Sequence, residues 1–148
     1  NEIPIDMLYS VGLFHDCGIP LLALKYEDYN DILTQAAQNN TNSIKMEEEQ
    51  YRTNHAILGY YVASSWHLPK ELCQLILHHH DLDILKQNIN PKLQLIYALL
   101  MIANNIVSKV RRFTEIPDWL TIKDDVLELI GLSHEDYDDL ENEFFELF

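Results

Sequence analysis

The sequence predicts an all-α protein, a compact bundle of about six to seven helices. Three observations predict it. Apolar residues recur at three- and four-residue spacing along most of the chain. No stretch alternates polar and apolar residues as a half-buried strand does. Glycines are few, four in 148 residues, and prolines and Asx residues fall where helices start or stop.

The first expected helix covers 6–17, with Gly18 and Pro20 as its stop. A second covers 26–38, followed by the polar loop Asn39-Asn40-Thr41-Asn42-Ser43. A long third helix is expected over 45–66, with Glu47, Glu48 and Glu49 in its first turns, where the helix dipole favours acids. Pro69 opens a fourth that ends near His80. Asn90-Pro91 reads as cap and first residue of a fifth, which runs to Arg112. Thr121 with Asp124, and Ser133 with Asp136, resemble capping boxes with Asp in place of Glu. They announce a short helix closed by Gly131 and a last one over 134–148. The whole is read as a single domain over 1–148, with a helical core over 1–112 and acidic C-terminal helices over 113–148.

The formal net charge is −14, and half of the 24 acidic residues follow Arg112. That field repels phosphate backbones and speaks against nucleic-acid binding. The cluster Lys109, Arg111 and Arg112 sits at a helix C-terminus, where cations suit the dipole. No uninterrupted apolar run of about eighteen residues occurs, so no membrane span is expected. Cys17 and Cys73 form no spaced framework, which suits a reducing, cytoplasmic setting.

Against this background, polar side chains on apolar helix faces are informative. His15 shares a face with Leu8, Val11 and Gly12, and Asp16 lies next to it. His55 stacks with Tyr51, Leu58 and Val62, and Gly59 one turn later admits a close helix. His79 and His80 follow Leu72, Leu75, Ile76 and Leu77, whereas His78 falls on the Glu71 and Gln74 side. His67 reads as a loop residue, and His134 has no inward logic. One inward histidine is ordinarily a hydrogen-bonded core side chain, an HD dipeptide arises by chance, and HHH can be surface composition. Three inward clusters on three helices point instead to a polar or metal-binding centre, because imidazole and carboxylate are the donors a divalent transition metal needs. Asn104 shares its helix face with Leu93, Tyr97, Leu100 and Val107. It has no local partner in the sequence and is expected to reach the histidine cluster.

The pattern resembles a known family. Gly12-Leu-Phe-His-Asp-Cys-Gly18 is similar to the GLLHDIG segment of HD-superfamily proteins, and Asn54-His55-Ala-Ile-Leu-Gly59 looks like their HxxxG helix. Trp66-His-Leu-Pro69 followed by Ile76-Leu-His-His-His-Asp81 resembles the signature of the HDOD family, the HD-related output domain of bacterial signalling proteins. The end, from Leu129 to Asp136, also resembles the family's, so the likeness runs over nearly the whole chain.

The resemblance implies an HD-like helical fold that begins upstream of Asn1, so that this chain is its C-terminal portion. A homodimer is an alternative cover for the surface left there. It implies that His15 and Asp16 are the central metal ligands, with Asp16 able to bridge two ions, and that His55, His79 and His80 are further ligands. Asn104 stands where catalytic relatives carry a carboxylate ligand, and Ile19 where HD-GYP phosphodiesterases carry a lysine. The expectation is a non-catalytic regulatory module with no metal or one divalent ion (Fe, Mn or Zn), acting on protein partners in a signalling pathway. The alternative is a metal-dependent phosphohydrolase in which Asp16 is the catalytic residue.

Overall fold

A computed structural model describes residues 3–87 and 90–147. Among these residues it is all-helical, as expected, with nine α-helices and one 3-10 turn. They fall into two compact units, one within Glu2–Asp81 and one within Leu82–Phe148. The division lies at Asp81–Leu82, whereas the sequence reading placed its internal boundary at Arg112.

The first unit contains α1 (Ile5–Phe14), α2 (Gly18–Lys25), α3 (Tyr29–Gln38), α4 (Ile44–Tyr51), α5 (His55–Ser65) and α6 (Lys70–His78). There are more helices than expected because 18–25, where none was expected, forms a helix of its own and the expected third helix is interrupted. The first ends at Phe14. Gly18 and Pro20, read as a stop, instead open α2, where a proline in the first turn costs no hydrogen bond. The long helix expected over 45–66 breaks at Arg52, whose φ of 60° and ψ of 20° put it in the left-handed region. Asn54 then caps α5 by accepting from the backbone N–H of Ile57 at 2.8 Å.

α5 packs chiefly against α6 and α2. Its buried residues His55, Gly59 and Ala63 recur every four positions and form a narrow seam. α6 buries Leu72, Cys73, Leu75 and Ile76, and Ile76 stands against the seam at Gly59. Two glycines make the close approach: a Cβ on Gly18 would lie 1.9 Å from the carbonyl oxygen of His55, and one on Gly59 would lie 2.9 Å from Cγ2 of Ile76.

The second unit contains the 3-10 turn Leu82–Leu85, α7 (Pro91–Arg112), α8 (Trp119–Ile130) and α9 (His134–Leu147). Asn90 accepts from the N–H of Lys92 at 3.0 Å with Pro91 as first helical residue, as expected. The box at Ser133 and Asp136 is reciprocal: the N–H of Ser133 donates to Asp136 Oδ2 and the N–H of Asp136 donates to Ser133 Oγ. Thr121 is no cap, because α8 has already begun at Trp119. Gly131, at φ 73°, closes α8. The core of the unit holds Ile96, Tyr97, Trp119, Val126, Leu127 and Tyr137.

Two helical stretches, Ile5–Lys25 and Pro91–Arg112, are long and apolar enough to cross a membrane by length and composition. Neither is one uninterrupted apolar run, since Asp6 and Asp16 break the first and Lys92, Gln94 and Asn104 the second. Core helices meet the same criterion: α7 buries Ile96, Tyr97, Ala98, Leu100, Met101, Ile102 and Ile106 inside the protein.

Candidate metal centre

Three pieces of backbone bring the first unit's histidines together. The turn after α1 carries His15 and Asp16, the first residue of α5 is His55, and the end of α6 carries His79 and His80. Asp16 is their common partner. Its Oδ1 lies 3.2 Å from Nε2 of His79 and 3.6 Å from Nε2 of His55, and its Oδ2 lies 3.3 Å from Nε2 of His15. Nε2 of His80 is 2.9 Å from Nε2 of His55. Asp16, His55, His79 and His80 each offer a donor atom within 4.8 Å of the other three. His15 stands beside this set, on the other carboxylate oxygen. All five sequence candidates therefore meet, and four of them converge closely enough to share one ion.

The opposite ring nitrogens determine the protonation pattern. Nδ1 of His79 is 2.6 Å from the carbonyl oxygen of Ile76. Nδ1 of His15 is 3.0 Å from that of Gly12 and 3.1 Å from that of Val11. Nδ1 of His55 is 2.9 Å from both oxygens of Glu47. Carbonyl and carboxylate oxygens only accept, so each Nδ1 donates. In His79, which burial keeps neutral, this turns a bare Nε2 lone pair toward the carboxylate of Asp16. Nε2 of buried His79 has no hydrogen-bond partner, although Asp16 is near: two acceptors face each other. Such an arrangement calls for a cation, either a proton or a metal ion. Three imidazoles and one carboxylate, with the far ring nitrogens of His55 and His79 already bonded, fit one divalent transition ion.

Electrostatics divide the cluster. Burial opposes ionisation of Asp16, but the adjoining side chains of His15 and His79 hold its carboxyl well below the usual range. Burial keeps His79 neutral by pushing its pKa down, against the pull of Asp16. Burial and the neighbouring His79 and His55 take His80 down to about 2. His15 is the exception: burial opposes its charge, yet the hydrogen bond and field of Asp16 raise it.

Glu47 was missed in the sequence, where it reads as one of three acids that suit the dipole in a helix's first turns. It is completely buried. Besides Nδ1 of His55 it accepts from the His55 backbone N–H at 2.8 Å, from Tyr29 Oη at 2.7 Å and from Ser43 Oγ at 2.6 Å. Burial opposes its charge, but His55 and Ser43 take its pKa down to about 2. Asn54 was the available signal: a cap residue before an apolar run marks a new helix start, and with it the chance that α4 folds back toward His55.

Asn104 lies on α7 in the second unit and is half-buried. The completely buried asparagine is its neighbour. Asn105 donates to Tyr137 Oη at 2.9 Å and accepts from the N–H of Ile116 at 2.9 Å. The expected inward face was about one residue out of phase, for Val107, assigned to it, is 53% exposed. His78, His67 and His134 are outside the cluster, as expected; His134 pairs with Asp124 at 3.1 Å.

No curated protein and no solved structure matches the chain. The HDOD domain family model matches residues 1–82. The likeness read over nearly the whole sequence is thus found over the first unit, and the second lies beyond it. Because that match spans more than half of the 148 residues and takes in every histidine of the centre, the chain belongs to the HDOD domain family.

Proposed function

We propose that the first unit is a non-catalytic regulatory module whose His and Asp side chains hold a single divalent ion and whose surface engages a protein partner. HDOD is a signalling-associated, HD-related family. The observation that carries the reading is the number of free carboxylates. Asp16 is the one carboxylate in the four-residue donor set. Glu47, the next nearest, already accepts four hydrogen bonds. Two divalent ions would bring four positive charges against one, too little anionic ligand for a two-metal clamp on phosphate.

Asp16, His55, His79 and His80 would hold the ion, with His15 steadying the far oxygen of Asp16. When bound, the ion supplies a fixed positive charge that ties the α1–α2 turn to α5 and α6. Partner binding is supported by exposed apolar side chains in the same unit. Ile5, Tyr9 and Leu13 form a stripe at four-residue spacing on α1 and are 80%, 72% and 60% exposed.

The second reading is a metal-dependent phosphohydrolase. It is favoured by the half-exposed side chain of Asp16, 47% accessible, which leaves the centre open to a small substrate. Metal analysis of the chain purified with Zn, Mn or Fe, together with phosphodiester and nucleotide hydrolysis assays, separates the two. About one ion per chain and no turnover supports the regulatory reading. Two ions per chain, with turnover lost in Asp16→Ala, overturns it.

A further inference from the structure

Of the three histidines on Asp16, His55 is built differently. His15 and His79 each place Nδ1 on a carbonyl three or four residues back in their own helical turn. His55 is the first residue of α5, with Asn54 in extended backbone before it. It has no preceding helical turn, so no carbonyl of its own helix lies behind the ring. A side chain from another helix must supply the acceptor, and Glu47 of α4 does so. The remaining bonds to Glu47 come from the His55 backbone N–H, from Tyr29 on α3 and from Ser43 at the start of α4. Both hydroxyls are buried with it.

We propose that Glu47 is the positioning residue of the centre: it fixes His55 as the Nδ1–H tautomer, presents a bare Nε2 beside Asp16, and makes ion affinity depend on the packing of α3 and α4. The affinity part rests on the one-ion reading above, while the tautomer part stands without any metal. A histidine ring can turn over or take the other tautomer when nothing holds Nδ1, and its lone pair then leaves the centre. Carboxylates behind ligating histidines contribute about 10–100-fold in metal affinity. Through Tyr29 and Ser43, a partner that shifts α3 against α4 would move the carboxylate and so tune the ion site without touching it.

Nitrogen-15 NMR of the histidine side chains in the chelator-treated full chain, paired with zinc calorimetry, tests this. His55 is expected as Nδ1–H in the wild type. Glu47→Gln keeps an acceptor and loses the charge, so the tautomer is retained and zinc affinity falls about tenfold. Glu47→Met removes the acceptor, so Nε2–H becomes populated and affinity falls about 100-fold. A wild-type His55 in the Nε2–H form overturns the proposal. So does a folded Glu47→Met chain with wild-type tautomer, or with wild-type affinity where the wild type binds zinc. If Glu47→Met does not fold, the wild-type tautomer and the Glu47→Gln affinity decide, and unchanged affinity in Glu47→Gln overturns it. A wild type that binds no zinc removes the one-ion reading, and the tautomers then decide the role of Glu47 alone.

Discussion

Nε2 of His55 and Nε2 of His80 stand 2.9 Å apart. With Nδ1 of His55 donating to Glu47, the hydrogen in this contact belongs to His80, and a metal ion competes with it for the His55 lone pair. In chelator-treated protein His80 is therefore expected as the Nε2–H tautomer. Saturating zinc should shift its side-chain nitrogen signals and leave the protonated Nδ1 of His55 in place. A His80 that keeps its Nε2–H at saturation would remove that nitrogen from the donor set.

Acid should destabilise the metal-free protein well before its carboxylates titrate. His80 is held at about 2 against an ordinary 6.5, and His79 is also pushed down. Below pH 6.5 the unfolded chain takes up protons at both positions that the folded chain refuses. Stability then falls with acidification, by up to about 1.4 kcal/mol per pH unit for each such proton. Glu47, lowered from 4.5 to about 2, adds a further loss as the pH drops through that window. The raised pKa of His15 acts in the opposite sense: its contribution is present below 6.5 and lost as the pH rises through its folded value. Guanidinium denaturation between pH 7 and pH 4 should show the decline. His80→Gln should flatten it.

Gly18 and Gly12 make an opposed pair for mutagenesis. A Cβ at Gly18 would meet the His55 carbonyl oxygen at 1.9 Å, and backbone cannot swing aside as a side-chain tip can. Gly18→Ala is expected to cost about 3 kcal/mol or more, at the upper end for overpacking, and to weaken zinc binding by displacing His55. At Gly12, within α1, nothing lies within 4 Å of a new Cβ. Gly12→Ala is expected to stabilise by about 0.5–1 kcal/mol through helix propensity. Paired denaturation curves check both signs.

Asn105 should matter to the second unit out of proportion to its size. Its side chain ties α7 to the N–H of Ile116 and to Tyr137 on α9. Tyr137 in turn donates to Glu141, whose carboxylate pairs with Lys109. Asn105→Ala leaves that N–H without its acceptor and should cost about 1–3 kcal/mol. Asn105→Asp keeps the acceptor for Ile116 but sets a second carboxylate facing the phenol that already serves Glu141, so it should not restore the wild-type midpoint.

Much of this arrangement can be read from periodicity alone, and its gaps have physical reasons. His15, Asp16, His55, His79 and His80 were selected because each interrupts an apolar face, and helical phase survives small errors in helix ends. Asn104 reads as the inward asparagine, although Asn105 is the buried one, because consecutive residues differ by only about 100° in phase and a stripe fixed from a few apolar positions can be wrong by one. Glu47 was hidden by a different error. Arg52-Thr53-Asn54 contains neither glycine nor proline, so the helix over 45–66 appeared continuous. In an unbroken helix a residue eight positions before His55 would lie about 12 Å away along the axis. The left-handed Arg52 brings it into hydrogen-bond contact instead.

That three-residue break has a consequence for how relatives of this chain are compared. The carboxylate sits behind its imidazole because 52–54 turn α4 back by a fixed amount. Deleting one of those residues would leave every histidine and acid in the alignment and still swing Glu47 onto another face. Loop length between α4 and α5 is therefore a better guide to which sequences keep a preset His55 than the presence of the ligands themselves.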